Sequence, residues 1–219
     1  MSARAIRVER HGEPDTLVLT HMDVPVPSPG QVLIEVETAG VAYADVLMRR
    51  GVYPESPALA FTPGYDVVGR VLALGGGVDH VGVGARVAAL TVTGGYSTHA
   101  LAPACFTVPV AEHLRAAQVS ALVLNYVTAK QMLERIAYAT PGGSILVHGA
   151  AGGVGTALLE LARHNEILAI GSASGSRTAA VTARGAVALD RNEVDVIAET
   201  LRLVPDGVAA TFDAIGGPH

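Results

Sequence analysis

The run Ala150-Ala151-Gly152-Gly153-Val154-Gly155 follows a short apolar stretch, Ser144 to His148, and precedes a segment with helical spacing. It fits A-x-G-x-x-G, the glycine fingerprint of dinucleotide-binding turns, with Ala at the first glycine position. Each position has a physical task. Gly152 lacks a Cβ, so its backbone can approach a pyrophosphate closely, and Gly155 lets a helix lie against the preceding strand. The unpaired N–H groups and partial positive charge of the helix start then face the phosphates. Ala150 is compatible with this if its backbone needs no positive φ. Ala151, Gly152, Gly153 and Val154 are therefore the candidate pyrophosphate contacts. No Gly-Lys-Ser/Thr follows, which excludes a Walker-type phosphate loop. The glycines taken alone also allow a tight structural loop; the strand before and helix after favour cofactor binding.

The end of the next strand selects the cofactor. An acid about 20 positions on would bind the ribose 2′-hydroxyl and favour NAD. Here the segment reads Gly171-Ser172-Ala173-Ser174-Gly175-Ser176-Arg177, without an acid. Hydroxyls of Ser172 and Ser174 can hydrogen-bond a 2′-phosphate, and Arg177 can pair with its charge. NADPH is thus expected over NADH, against the competing reading of a polar surface loop.

The elements that must position these residues fall into two parts. In the first, Val32, Ile34 and Val36 recur with period two after the turn-forming Pro27-Ser28-Pro29-Gly30. Val67 to Leu74, Arg86 to Val92 and Tyr96 to Leu101 also read as strands, and Tyr43 to Arg50 as a helix closed by Gly51. Short strands at this spacing predict a compact β-barrel-type domain. The pattern changes near residue 115, giving domains 1–115 and 116–219. Ala111 to Arg135 has helical spacing and reads as two helices broken around Asn125. The strand Ser144 to His148, the glycine turn, a helix from Val154 to His164 and a strand from Ile167 to Gly171 follow. Further helix-then-strand units lie at Ala179 to Leu189 and Val194 to Phe212. Strand, helix, strand at this spacing predicts an α/β fold with a doubly wound parallel sheet.

Composition excludes several classes. The 219 residues are half apolar and 16% charged, with net charge −5 and no basic face for nucleic acid. No apolar run reaches the ~18 residues of a membrane span. Arg4, Arg7, Glu9, Arg10 and Glu13 interrupt the start too often for a signal peptide. The single cysteine, Cys105, can form no internal disulfide and reads as buried packing rather than a nucleophile. The cytoplasm is the simplest location.

Taken in order, Ala39-Gly40-Val41-Ala42-Tyr43-Ala44-Asp45, Arg50-Gly51-Val52-Tyr53-Pro54, Pro63-Gly64-Tyr65-Asp66-Val67-Val68-Gly69, Asn125-Tyr126-Val127-Thr128-Ala129, the glycine turn and Phe212-Asp213-Ala214-Ile215-Gly216-Gly217 form one set. Across the whole chain this set resembles the zinc-free quinone oxidoreductase branch of the medium-chain dehydrogenase/reductase superfamily. The resemblance implies a GroES-like β-barrel-type domain followed by a Rossmann doubly wound parallel sheet. It also implies hydride transfer from NADPH to a quinone or an α,β-unsaturated carbonyl, usually in a homodimer. Zinc-dependent relatives carry Cys-His where this chain has Ala42-Tyr43, and His-Glu where it has Tyr65-Asp66, so no metal site is expected. By the same resemblance Tyr53 lies in the substrate pocket, with Tyr43 a second hydroxyl nearby, while Asn125 and Thr128 lie near the nicotinamide and phosphates. The tyrosines can equally be half-buried aromatics that shape a pocket. Ala42 departs from the family's G-x-N-x-x-D motif, which tilts the expectation towards a divergent enone reductase. Family members usually continue for about another hundred residues, so the resemblance implies a Rossmann sheet that is incomplete, an apolar sheet edge left open, and a chain truncated at its C-terminus. A non-catalytic, NADPH-binding remnant with a sensing or structural role is the alternative function.

Overall fold

The structure is a computed structural model that describes residues 2–216. Gly217, the last residue of the final motif, lies outside the described residues. Contacts divide the chain into two compact units, one up to Leu124 and one from Asn125 onward.

The first unit opens with an antiparallel hairpin of β1 (Ser2–Val8) and β2 (Leu17–Asp23), in register from Ser2↔Asp23 to Val8↔Leu17. Then come β3 (Gln31–Ala39), α1 (Tyr43–Arg50), β4 (Asp66–Leu74), β5 (Arg86–Leu90), β6 (His99–Pro103) and β7 (Thr107–Pro109). They build a five-stranded antiparallel sheet in the order β6-β3-β4-β5-β7. Val32, Ile34, Val67, Val71, Val87, Ala89, Ala100 and Ala102 bury one common core. The β3–β4 register slips between Leu33 and Ile34 and again between Val36 and Thr38. Such irregularities bend and twist a sheet, in keeping with the curled, barrel-type expectation. Gly69 pairs with Val36 at this site, and an added Cβ would stand 2.0 Å from the Glu35 carbonyl oxygen.

Arg86 fastens the far end of the sheet. Its guanidinium is 7% exposed, pairs with Glu37 at 2.9 Å, and donates to the carbonyls of Ala111 at 3.1 Å and Leu114 at 2.7 Å. A buried guanidinium is tolerated because its donors have both a carboxylate and carbonyls to meet.

Three features differ from the sequence expectation in this unit. The β1–β2 hairpin was not visible because its apolar and charged residues show no clean alternation, and β2 is largely exposed. The strand expected from Tyr96 begins at His99, and Tyr96 to Thr98 bond to β1: Ile6 N donates to Tyr96 O at 2.8 Å and Thr98 N to Arg4 O at 2.9 Å, while Thr98 O also accepts Val36 N of β3 at 3.0 Å. Cys105 is exposed, not buried. It sits in the one-turn 3₁₀ segment Ala104–Phe106, where Ala104 takes the inward position.

The division between units falls inside α2 (Ala116–Gln131), which runs on into a single π turn, Met132–Ile136. The expected break at Asn125 is absent. No Gly or Pro interrupts α2, and the small propensity deficit of one Asn does not stop a helix with buried Ala129 behind it.

Beyond lie β8 (Ser144–His148), α3 (Gly153–His164), β9 (Leu168–Ala173), α4 (Thr178–Thr182), β10 (Val187–Asp190), α5 (Val196–Leu203) and β11 (Ala210–Asp213). All pairs are parallel and the order is β10-β9-β8-β11. Ile145 and Val147 pack with Ala157, Leu158 and Leu159 of α3 on one face. Leu146, Ile170 and Leu189 pack with Val196 and Leu203 of α5 on the other. Helices on both faces make this the expected doubly wound α/β sheet. The chain steps outward from β8 through β10, then returns to the other side of β8, so the topological switch lies between β8 and β11. Ligands of such sheets bind at the carboxyl ends of the strands beside that switch.

Gly69→Ala is expected to destabilise the protein by about 1–3 kcal/mol, read as a lower urea midpoint. An unchanged midpoint would mean that β3 and β4 separate there at no cost.

Candidate functional site

The glycine turn joins β8 to α3 at the switch. Gly149 holds φ +69°, so the left-handed residue is the one before the fingerprint, and Ala150 is not among the positive-φ residues. That explains why alanine is accepted at the first fingerprint position. Gly155 is forced by proximity: an added Cβ would lie 2.4 Å from the Gly149 carbonyl oxygen and 2.7 Å from Ala150 Cα. Gly152 is the N-cap of α3 and supplies no side-chain acceptor. Thr156 N, the first to find an intrahelical partner, bonds Gly152 O at 2.8 Å. Gly152 and Gly153 are exposed, while Ala151 and Val154 are half-buried. The start of α3 therefore presents backbone N–H groups without a side-chain cap, the arrangement that suits an anion.

Asn125 comes to the same place. A Cβ on Gly153 would meet Asn125 Oδ1 at 2.8 Å, so the amide lies over the helix start. Thr128 is half-buried one turn further along α2. Between them, Tyr126 donates to Glu160 of α3, which also meets Arg184 Nε at 3.4 Å. Burial first, then the Glu160 contact, pushes the Tyr126 phenol up to about 12. This chain of contacts was not anticipated from sequence, where Glu160 is one more polar residue on a helix.

The residues proposed for the 2′-phosphate separate into two groups. Ser174 and Arg177 meet at the carboxyl end of β9, where Arg177 Nη2 donates to Ser174 Oγ at 2.7 Å and the guanidinium is exposed. Asp190, unread from sequence, accepts the Gly175 N–H at 2.9 Å and shapes the loop. Ser172 is fully buried, with Oγ 3.0 Å from His148 Nδ1.

In the first unit, Tyr53 is half-buried with Tyr65 against Val8, Met48 and Phe61, whereas Tyr43 is 72% exposed at the start of α1. The surrounding polar groups centre on two buried carboxylates. Asp45 accepts Ala42 N and Gly64 N, each at 2.9 Å, and the Tyr96 hydroxyl at 3.2 Å. Asp66 accepts Ser120 Oγ at 2.9 Å. A Cβ on Gly40 would fall 2.6 Å from both Asp66 oxygens, so this glycine makes room for the carboxylate. Burial raises the Asp66 carboxyl above its usual range, the Ser120 and Gly40 bonds oppose this, and the Asp45 charge adds to it. Burial likewise lifts Tyr65 to about 12, with Tyr53 contributing, and lifts Tyr96 higher still beside Asp45. Among the described residues, no three His, Cys, Asp or Glu are grouped to hold a metal ion.

Residues 28–112 match the alcohol dehydrogenase GroES-like domain. The quinone oxidoreductase of Rattus norvegicus is 42% identical over 172 residues, covering 78% of this chain and 52% of that protein. The synaptic vesicle membrane protein VAT-1 homologue of the same species is 36% identical over 195 residues, covering 88% and 48%. Among solved structures, the native structure of a mycobacterial protein complexed with NADPH superposes with a TM-score of 0.89 at 31% identity, over 98% of this chain and 67% of that one. A quinone oxidoreductase of Pseudomonas syringae pv. Tomato DC3000 gives a TM-score of 0.88 at 32% identity, over 98% and 67%. The chain belongs to the quinone oxidoreductase branch of the medium-chain dehydrogenase/reductase superfamily. It spans about half the length of the curated relatives it matches.

The buried Asp66 carboxyl couples the stability of this fold to pH. A carboxyl whose folded pKa is raised keeps its proton in the native state longer than in the unfolded chain. The native state then holds more protons between the two values, and stability falls as pH rises through that window. Asp66→Asn keeps an acceptor for Ser120 but has no proton to lose. The stability difference between the two proteins is expected to move in favour of Asn as pH rises from ~4, followed by urea unfolding at a series of pH values. A pH-independent difference would refute the raised carboxyl.

Proposed function

We propose that the chain forms the NADPH-binding and substrate-facing part of a zinc-independent oxidoreductase that reduces a quinone or an α,β-unsaturated carbonyl. The observation that carries this reading is the uncapped start of α3 beside a β9 loop that has no acid in its own sequence and carries the exposed Arg177. Backbone N–H groups of Ala151, Gly153 and Val154 would hold the pyrophosphate. Gly152 would allow its close approach while its own N–H donates to the Gly149 carbonyl at 2.8 Å, and the Asn125 amide lies over the same helix start. Ser174 and Arg177 would hold the 2′-phosphate by charge-assisted hydrogen bonds. NADPH, when bound, supplies a hydride from its nicotinamide ring.

Reduction places negative charge on the substrate oxygen, which a hydrogen-bond donor must stabilise when no metal does so. Tyr53 is the candidate donor, half-buried against the same cluster as Tyr65 and hydrogen-bonded to it; Tyr43 is a second, solvent-facing hydroxyl. Zinc independence is supported by the methyl group of Ala42 and by the engagement of Asp66 with Ser120. No helix among the described residues is long and apolar enough to cross a membrane. A homodimer in the cytoplasm completes the proposal.

Arg177→Ala is expected to weaken NADPH about tenfold (~1.4 kcal/mol) and NADH by less than about twofold, read by fluorescence titration. Equal weakening of both would remove the phosphate from this loop. In parallel, NADPH oxidation is followed with a quinone and with an enone. Binding without turnover of either would overturn the catalytic half and leave the non-catalytic NADPH-binding alternative.

A further inference from the structure

The carboxyl edge of the parallel sheet carries a polar row beneath the glycine turn, buried on β8 and β9 and exposed on β11. Ser172 on β9, His148 on β8 and Asp213 on β11 are in-register neighbours. Ser172 is 0% and His148 7% exposed, and their side chains meet at 3.0 Å. Apolar residues would fill these positions without the requirement of mutual hydrogen bonding that a buried hydroxyl and imidazole impose.

The row is joined to the turn on both sides. On the β9 side, the Ser172 carbonyl accepts the Ala150 N–H at 3.1 Å. The adjacent Gly171 leaves space for the Ala150 methyl, since a Cβ there would come within 2.7 Å of it. On the β11 side, Asp213 Oδ1 accepts the N–H groups of Ile215 at 2.8 Å and Gly216 at 3.0 Å. That turn lays Ile215 against Gly149, where a Cβ would fall 2.9 Å from Ile215 Cγ1. The two residues that set the entry to α3, Gly149 and Ala150, are thus gripped from neighbouring strand ends.

We propose that the Ser172–His148 hydrogen bond is a positioning element of the dinucleotide turn: it fixes the end of β9, and through the Ser172 carbonyl it holds Ala150 so that the start of α3 stays aimed at a pyrophosphate. Ser172 is then a positioning residue whose hydroxyl is committed inside the sheet, and the 2′-phosphate falls to Ser174 and Arg177. This inference rests on the NADPH reading for its binding consequence, but the grip on Ala150 exists in the free protein and can be measured there.

The test compares Ser172→Ala, His148→Leu, the double variant and His148→Asn, whose amide can replace the imidazole nitrogen facing Ser172. Each is checked for folding by circular dichroism, then titrated with NADPH and followed by amide hydrogen exchange at Ala150 without cofactor. Loss of one hydrogen bond corresponds to about a three- to tenfold effect. Ser172→Ala and His148→Leu are expected to weaken NADPH and to speed Ala150 exchange by that factor. The double variant is expected to be no worse than either single, because the pair acts as one unit. His148→Asn is expected to stay within about twofold of wild type.

Wild-type exchange at Ala150 in folded His148→Leu and Ser172→Ala overturns the proposal, as does His148→Asn behaving like His148→Leu. A wild-type protein that binds no NADPH overturns the cofactor reading instead, and the exchange measurements still decide the grip on Ala150.

Discussion

A helix can aim its first N–H groups at a diphosphate only when its axis lies close to the strand that delivers the chain to it. Here that approach is limited at one residue, Gly155, whose gap to the Gly149 carbonyl and the Ala150 backbone is too narrow for any side-chain carbon. Much else answers to it. Gly149 turns through a left-handed conformation, Ala150 tucks its methyl against Gly171, and Leu158 and Leu159 seal the helix onto the sheet. Each of these residues is constrained by the distance between backbones before any ligand is considered.

That is why the turn could be read from sequence. Glycine spacing reports backbone proximity, and an apolar strand before it and a helix after it report the local frame. The helix Tyr43–Arg50, closed by the left-handed Gly51, was legible for the same local reason. What could not be read depends on partners far away in the chain. Tyr96 looks like the start of a strand, yet its main chain bonds to Ile6. Ser172 reads as a phosphate ligand, and the fold sets its hydroxyl 3.0 Å from His148 Nδ1 on the neighbouring strand, a contact no local pattern announces. Asn125 looks like a helix breaker because side-chain competition is a local property, whereas the packing of Ala129 that carries α2 through is not. Hydroxyls and amides can serve either a ligand or the fold, and only the third dimension decides between them.

The first unit shows a different economy of polar groups. Asp45 and Asp66 are both buried, and each is made tolerable by donors from segments distant in sequence: Gly64 and Tyr96 for one, Ser120 for the other. Asp45 at the same time joins the start of α1 to the Gly64 loop through Ala42 N and Gly64 N. The tyrosines around them inherit high pKa values from the same burial. A region that can be compared position by position with a zinc site is therefore knit by carboxylates that face backbone and hydroxyl donors.

The pairing of β1 with the segment before β6 has a consequence in time. Arg4 N meets the Thr98 hydroxyl across 94 residues, and Ile6 and Arg4 complete the match with Tyr96 and Thr98. Translation delivers β1 and β2 before residues 96–98, so the hairpin emerges while its remote partner has yet to be synthesised. Until residues 94 positions further on have left the exit tunnel, β1 has to wait with that side unmatched. In the parallel sheet β8 and β9 are joined through one helix, whereas β11 returns to β8 only after β10 and α5. The wait of β1 for its partner, 94 residues, is longer than that of β8 for β11.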